Sequence, residues 1–83
     1  MTKKEIFDIV VRNARDVLPS LANQHIAPNA SLKALGANSL DRSEIVMMTL
    51  EALQLSLPLA ATAGAKNIDE LVNLLHESLQ IAA

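Results

Sequence analysis

Eighty-three residues form one domain, spanning 1–83, with room for a modest core but not for a core plus an ordinary enzyme cavity. With a formal net charge of −2 and Phe7 as the only aromatic, the chain lacks both the basic footprint and the stacking platforms of a nucleic-acid binder. Cysteine is absent, which excludes disulfides, thiolate nucleophiles and thiolate metal ligands, and no apolar run is long enough to span a membrane.

The apolar residues, 51% of the chain, are almost all aliphatic, which favours packed helices over a sandwich or barrel. The opening MTKKEIFDIVVRNARD mixes charge with apolar residues, unlike a signal peptide, so a soluble cytoplasmic protein is expected. Thr2 and Glu5 have the spacing of a capping box, predicting a first helix over residues 3 to 18. Ile6, Phe7, Val10, Ala14, Val17 and Leu18 mark its apolar side, and Lys3, Lys4, Asp8, Arg12, Arg15 and Asp16 its wet side. Pro19 ends it. From Pro19 to Asn38 the chain is rich in Pro, Asn, Ser and Gly, a long connection pinned by Leu21, Ile26, Leu32 and Leu35, with one helical turn expected at Ser31 to Leu35 before Gly36. A loop of that length in a small domain points to function.

A second helix is predicted from Ser39 to about Gln54, with Asn38 as its N-cap and Asp41 in the first turn, where a negative charge suits the helix dipole. Leu57-Pro58 marks a break, and a short third helix is expected over Leu59 to Ala65. Asn67 with Glu70 repeats the capping spacing before a last helix to about Gln80, striped by Ile68, Leu71, Val72, Leu75 and Leu79. No internal repeat is present.

On a helical wheel, Ile45, Val46, Thr49, Leu50 and Leu53 form the buried face of the second helix. Leu40, Met47 and Met48 fall off it, beside Glu44 and Glu51: either an apolar docking strip fringed with carboxylates or the ordinary apolar share of a surface. Ser39 starts this helix, where unpaired N–H groups and the dipole suit a phosphate, although a serine there also reads simply as a capping residue. His25 and His76 have no surrounding motif that would make either an activator of Ser39, so each reads as solvated or packed.

The stretch LGANSLDRSEIVMMTLE, residues 35 to 51, resembles the phosphopantetheine attachment segment of acyl carrier proteins, usually L-G-[AG]-D-S-L followed by an acidic, methionine-containing helix. The resemblance extends to the first helix, the long loop, Leu57-Pro58 and NIDELVNLL. It implies an all-α, four-helix carrier bundle, monomeric and non-catalytic, in which a phosphopantetheinyl transferase joins 4'-phosphopantetheine to Ser39. Acyl groups then ride as thioesters on the cofactor's thiol, and Leu40, Glu44 and Met47 become docking residues, in agreement with the wheel. Met48 and Glu51 complete that face, with Asn38 and Arg42 beside the attachment point.

Asn38 stands where the family usually has aspartate, Arg42 adds a cation, and LPLAATAGAKN lacks the acids common in fatty-acid carriers. GANSLDRSEIVMMTLE with AGAKNIDEL is most similar to the free-standing donor carriers of polyketide β-branching cassettes. That similarity implies malonyl cargo decarboxylated to acetyl and donated to a synthase resembling hydroxymethylglutaryl-CoA (HMG-CoA) synthase. The implied partners are that synthase, an acyltransferase and a decarboxylating ketosynthase-like enzyme. The alternatives are a general fatty-acid or polyketide carrier, an unmodified helical interaction module and a small hydrolase using Ser39, the last disfavoured by the size of the chain. A peptidyl carrier fits less well, since those more often read G-G-x-S where this chain has Gly36-Ala37-Asn38-Ser39.

Overall fold

The computed structural model describes residues 1–82, which form three helices, α1 (Lys3–Val17), α2 (Ser39–Ala52) and α3 (Ile68–Ala82), with two 3-10 turns at Pro19–Leu21 and Leu59–Thr62. No strand occurs among the described residues. α1 packs against both α2 and α3 and so lies at the centre of the bundle.

The predicted capping box is present: the Glu5 N–H donates to Thr2 Oγ1 at 3.2 Å and the Thr2 N–H to Glu5 Oε1 at 2.9 Å. Hydrogen bonding to Thr2, first through its backbone N–H and then through its side chain, holds the Glu5 carboxyl below the usual carboxylate range. α1 stops at Val17, one residue short of the expected end, because Leu18 leaves helical geometry ahead of Pro19. The proline then opens a 3-10 turn that the sequence pattern did not reveal.

Ile6, Val10, Val11 and Ala14 of α1 meet Ile45, Val46 and Leu50 of α2 and Ile68, Leu71, Val72 and Leu75 of α3 in one buried cluster. Each of these Val, Leu and Ile side chains contributes about 1.5–3 kcal/mol by leaving water, and Ala14 less. Leu53, just past α2, is buried as expected, whereas Phe7, Val17, Leu18 and Leu79 are only half-buried at its edge. A polar tie runs through this core. Asn13 Nδ2 donates to Thr49 Oγ1 at 3.0 Å, and the Thr49 hydroxyl donates to the Ile45 carbonyl at 2.8 Å, so both side chains are buried and satisfied.

The long loop is held down as expected by Leu21, Ile26 and Leu32, which are buried, with Leu35 half-buried. Its single helical turn is present. Ser31 Oγ accepts from the Ala34 N–H at its start, and the Gly36 and Ala37 N–H groups close its end on the carbonyls of Lys33 and Leu32. This is a Schellman ending, and Gly36 has φ 107, where a side chain would be strained. Arg15, on the wet side of α1, is half-buried and folds over the loop, donating to the carbonyls of Leu21 and Gln24.

The expected short helix over Leu59 to Ala65 is a 3-10 turn that ends at Thr62. Thr62 Oγ1 donates back to the Leu59 carbonyl, and Pro58 and Gly64 bound the segment, so it is too short for a stable α-helix despite its alanines. At α3, Asn67 Oδ1 accepts from the Glu70 N–H at 2.8 Å as predicted, but Glu70 returns its bond to the Lys66 N–H rather than to Asn67. The next donors reach the long loop: Ile68 N–H to the Ala30 carbonyl and Asp69 N–H to that of Pro28.

Candidate functional site

The start of α2 is built by a second capping box. Asn38 Oδ1 accepts from the Asp41 N–H at 2.8 Å, and Asp41 Oδ2 accepts from the Asn38 N–H at 3.1 Å. Asn38 is the cap, as its sequence position suggests; the return bond from Asp41 makes that residue more than a dipole charge. Ser39 is thereby released from capping. Its side chain is exposed, and the Ser39 hydroxyl takes part in no hydrogen bond of the described residues. The N–H groups of Ser39 and Leu40 are likewise without protein partners among the described residues, so a free hydroxyl and two free donors sit at the positive end of the helix. Those groups fit the phosphate of a phosphopantetheine arm.

Leu40, Glu44, Met47 and Glu51 follow one another along α2 at spacings of four, three and four, which places them on one ridge. All four are exposed; Leu40 is 79% and Met47 56% accessible, high values for large apolar side chains. The opposite side of the same helix carries Ile45, Val46, Thr49 and Leu50, all buried, as the wheel predicts. Met48 is half-buried beside the ridge. Arg42 is also half-buried, and its Nη1 donates to the Ala37 carbonyl at 2.8 Å, clamping the loop end against α2.

A cleft of about 590 Å³ opens beside Ser39, between α2, the turn before Gly36 and the segment leading to α3. Sequence patterning did not reveal it, because its walls come from three separate stretches of chain. His25 is exposed in the long loop and His76 half-buried on α3, and neither residue is among those lining the cleft. No group of His, Cys, Asp or Glu among the described residues could hold a metal ion. No described helix is long and apolar enough to cross a membrane.

The three-helix bundle thus presents a serine free of capping duty at the head of its second helix. The chain belongs to the phosphopantetheine attachment site family, which it matches over residues 8–75, and so to the non-catalytic acyl carriers that bear 4'-phosphopantetheine on a serine. It is 42% identical over 82 residues to the polyketide biosynthesis acyl-carrier-protein AcpK of Bacillus subtilis (strain 168), covering 99% of this chain and 100% of that one. It superposes with a TM-score of 0.87 and 41% identity on a chain from the crystal structure of the Curacin biosynthetic pathway HMG synthase in complex with acetyl donor-ACP. That match covers 90% of this chain and 96% of the other.

Proposed function

We propose that Ser39 is the attachment residue, and that the chain, a single carrier domain over 1–83, is an acetyl-donor carrier of polyketide β-branching. The observation that carries this reading is the exposed Ser39 hydroxyl, free of hydrogen bonds among the described residues while Asn38 and Asp41 do the capping. A transferase can take that hydroxyl without dismantling the helix start. When bound, the arm supplies a thiol on which malonyl, and after its decarboxylation acetyl, is held as a thioester. The protein's own residues do the rest. Unpaired N–H groups of Ser39 and Leu40 stabilise the phosphodiester charge, and Arg42 holds the preceding loop through Ala37.

The ridge of Leu40, Glu44, Met47 and Glu51, flanked by Asn38, Arg42 and Met48, docks the partners in turn. These are a phosphopantetheinyl transferase, an acyltransferase, a decarboxylating ketosynthase-like enzyme and an HMG-CoA synthase-like enzyme. Support for the last comes from the likeness to a chain of an HMG synthase complex with its acetyl donor carrier. The setting we assign is the cytoplasm, with the carrier monomeric.

Intact-mass analysis after incubation with coenzyme A and a phosphopantetheinyl transferase tests the attachment. We expect wild type to gain one phosphopantetheinyl group and Ser39→Ala to gain none while melting close to wild type, because the cap is elsewhere. Mass gain in Ser39→Ala would refute the assignment. Acetyl transfer from the loaded carrier to an HMG-CoA synthase-like enzyme, absent with a fatty-acid ketosynthase, separates the donor role from that of a general carrier.

A further inference from the structure

The cleft beside Ser39 is one-sided in charge. Lys33, Arg42 and Lys66 line it and no Asp or Glu does, although the chain carries nine acidic residues against seven Lys and Arg. Arg42 is already engaged with the Ala37 carbonyl, but Lys33 and Lys66 are exposed and in no ion pair among the described residues, where the only such pair is Lys4–Asp8; the Glu70 carboxylate bonds the Lys66 backbone N–H, not its ammonium, and does not line the cleft. The two lysines come from different segments, one from the turn before Gly36 and one from the approach to α3. The remaining walls are neutral and mostly small, including Val46, Ala60 and Ala63. At about 590 Å³ the cleft is within the range of small-molecule sites.

We propose that Lys33 and Lys66 receive the terminal carboxylate of a malonyl-type group carried on the chain's own arm, so that the cargo is drawn back against the protein while it bears that charge. The inference rests on Ser39 being the attachment residue. The phosphodiester is common to every loaded form and lies at the helix start, so it does not distinguish one cargo from another; a carboxylate at the far end of the arm does. A single exposed lysine–carboxylate pair is weak in free solution. The covalent tether changes this by raising the effective concentration of the carboxylate at the cleft to the millimolar range. On decarboxylation the bond between the carboxylate carbon and the α-carbon breaks, carbon dioxide leaves, and the electron pair left on the α-carbon takes a proton to give acetyl. The acetyl group has no charge for the lysines, and the arm is released toward a partner. The cleft thus makes the carrier report its own cargo: retracted as malonyl, presented as acetyl.

The test is amide chemical-shift mapping of the full chain in three forms: the holo form, and holo loaded with acetyl or malonyl through a hydrolysis-resistant amide in place of the thioester. We expect the malonyl form alone to move the amides of Lys33, Ala60, Ala63 and Lys66. That difference should fall at least twofold in Lys33→Gln/Lys66→Gln, and again near 1 M salt, where the screening length is about 3 Å. Arg42 is left in place because it holds Ala37. Both lysines are exposed, so the variant is expected to keep the wild-type circular dichroism spectrum. Equal shifts from acetyl and malonyl, or shifts already complete in the holo form, would overturn the proposal by making the pantetheine or its phosphate the occupant. A malonyl effect that survives the double substitution would also overturn it. Failure of Ser39 to accept the arm at all would show in the mass spectrum before any shift is measured, and would bring down the carrier reading itself.

Discussion

Asn38 and Ser39 are adjacent and similar in chemistry, yet the fold gives them different tasks. Asn38 has extended backbone with φ −77 and ψ −178, which aims its side chain at the Asp41 N–H, whereas Ser39 already has helical geometry and points its hydroxyl outward. The sequence marks Asn38 as the cap by its position, but it leaves Ser39 open to the same role and gives Asp41 only a dipole charge, so the reciprocal box that separates the two is a structural finding. Nor does the sequence reveal how α2 ends. The N–H groups of Gln54 and Leu55 close a Schellman motif on the carbonyls of Glu51 and Leu50, which places Gln54 at φ 52, in the left-handed region. Glycine is the usual residue there, and nothing about a glutamine announces the conformation. We therefore expect Gln54→Gly to stabilise the fold by about 0.5–1 kcal/mol, the strain relieved being partly offset by the freer unfolded chain. A thermal melt should rise by a few degrees, since about 1 kcal/mol corresponds to roughly 4–8 °C in a domain of this size. A fall in melting temperature would show that the Gln54 side chain contributes more than its backbone costs.

Helix α2 carries two opposed tasks on one short element, and each face can be tested separately. Its buried face was legible because Ile45, Val46, Thr49 and Leu50 repeat at helical spacing. The partner of Thr49 was not, because Asn13 lies on another helix and no local pattern distinguishes a buried asparagine from an exposed one. Thr49→Val keeps the shape but strands the Asn13 amide without an acceptor, at an expected cost of about 1–3 kcal/mol in chemical denaturation. Adding Asn13→Leu should recover part of that loss, because removing both polar partners is far less costly than removing one. The double variant falling below Thr49→Val would mean that packing, not the polar tie, limits this contact. On the outer ridge, Met47→Ala should leave stability within about 0.5 kcal/mol, as expected for a side chain that is 56% accessible. Its effect should be on binding to an acyl-transferring partner, where loss of an apolar anchor weakens affinity by more than about 1 kcal/mol at every salt concentration. Glu44→Ala should weaken the complex mainly at low salt, through the encounter rate. A large drop in melting temperature for Met47→Ala with unchanged affinity would remove the ridge from the docking model.

The molecule as a whole consists of three helices and a long loop whose apolar anchors local patterning predicts and whose polar ties it does not. Hydrophobic periodicity placed the helices to within a residue or two, because each must bury one face. Besides its buried anchors Leu21, Ile26 and Leu32, the loop between α1 and α2 is held by polar contacts to the helices on either side of it and to α3. Arg15 donates to the carbonyls of Leu21 and Gln24, the α3 N-terminus donates to those of Pro28 and Ala30, and Arg42 donates to that of Ala37. The ties satisfy loop carbonyls that have no regular structure to pair with, or, at Leu21, add to a turn bond from the Gln24 N–H. The ties are spread along the loop, so its ends should respond independently. Arg15→Met keeps most of the apolar stem of the side chain and removes both hydrogen bonds, at an expected cost of about 1 kcal/mol. Hydrogen exchange should then accelerate at the Gln24 amide, whose own bond ends on the Leu21 carbonyl that the guanidinium also holds. The amides of Asp41 and Arg42 should exchange as before, and Ser39 should accept its arm at an unchanged rate, because the capping box and the Arg42 clamp fix the start of α2 without help from Arg15. Slower loading of Ser39 in Arg15→Met would show instead that the loop moves as one body and that the site depends on all of it.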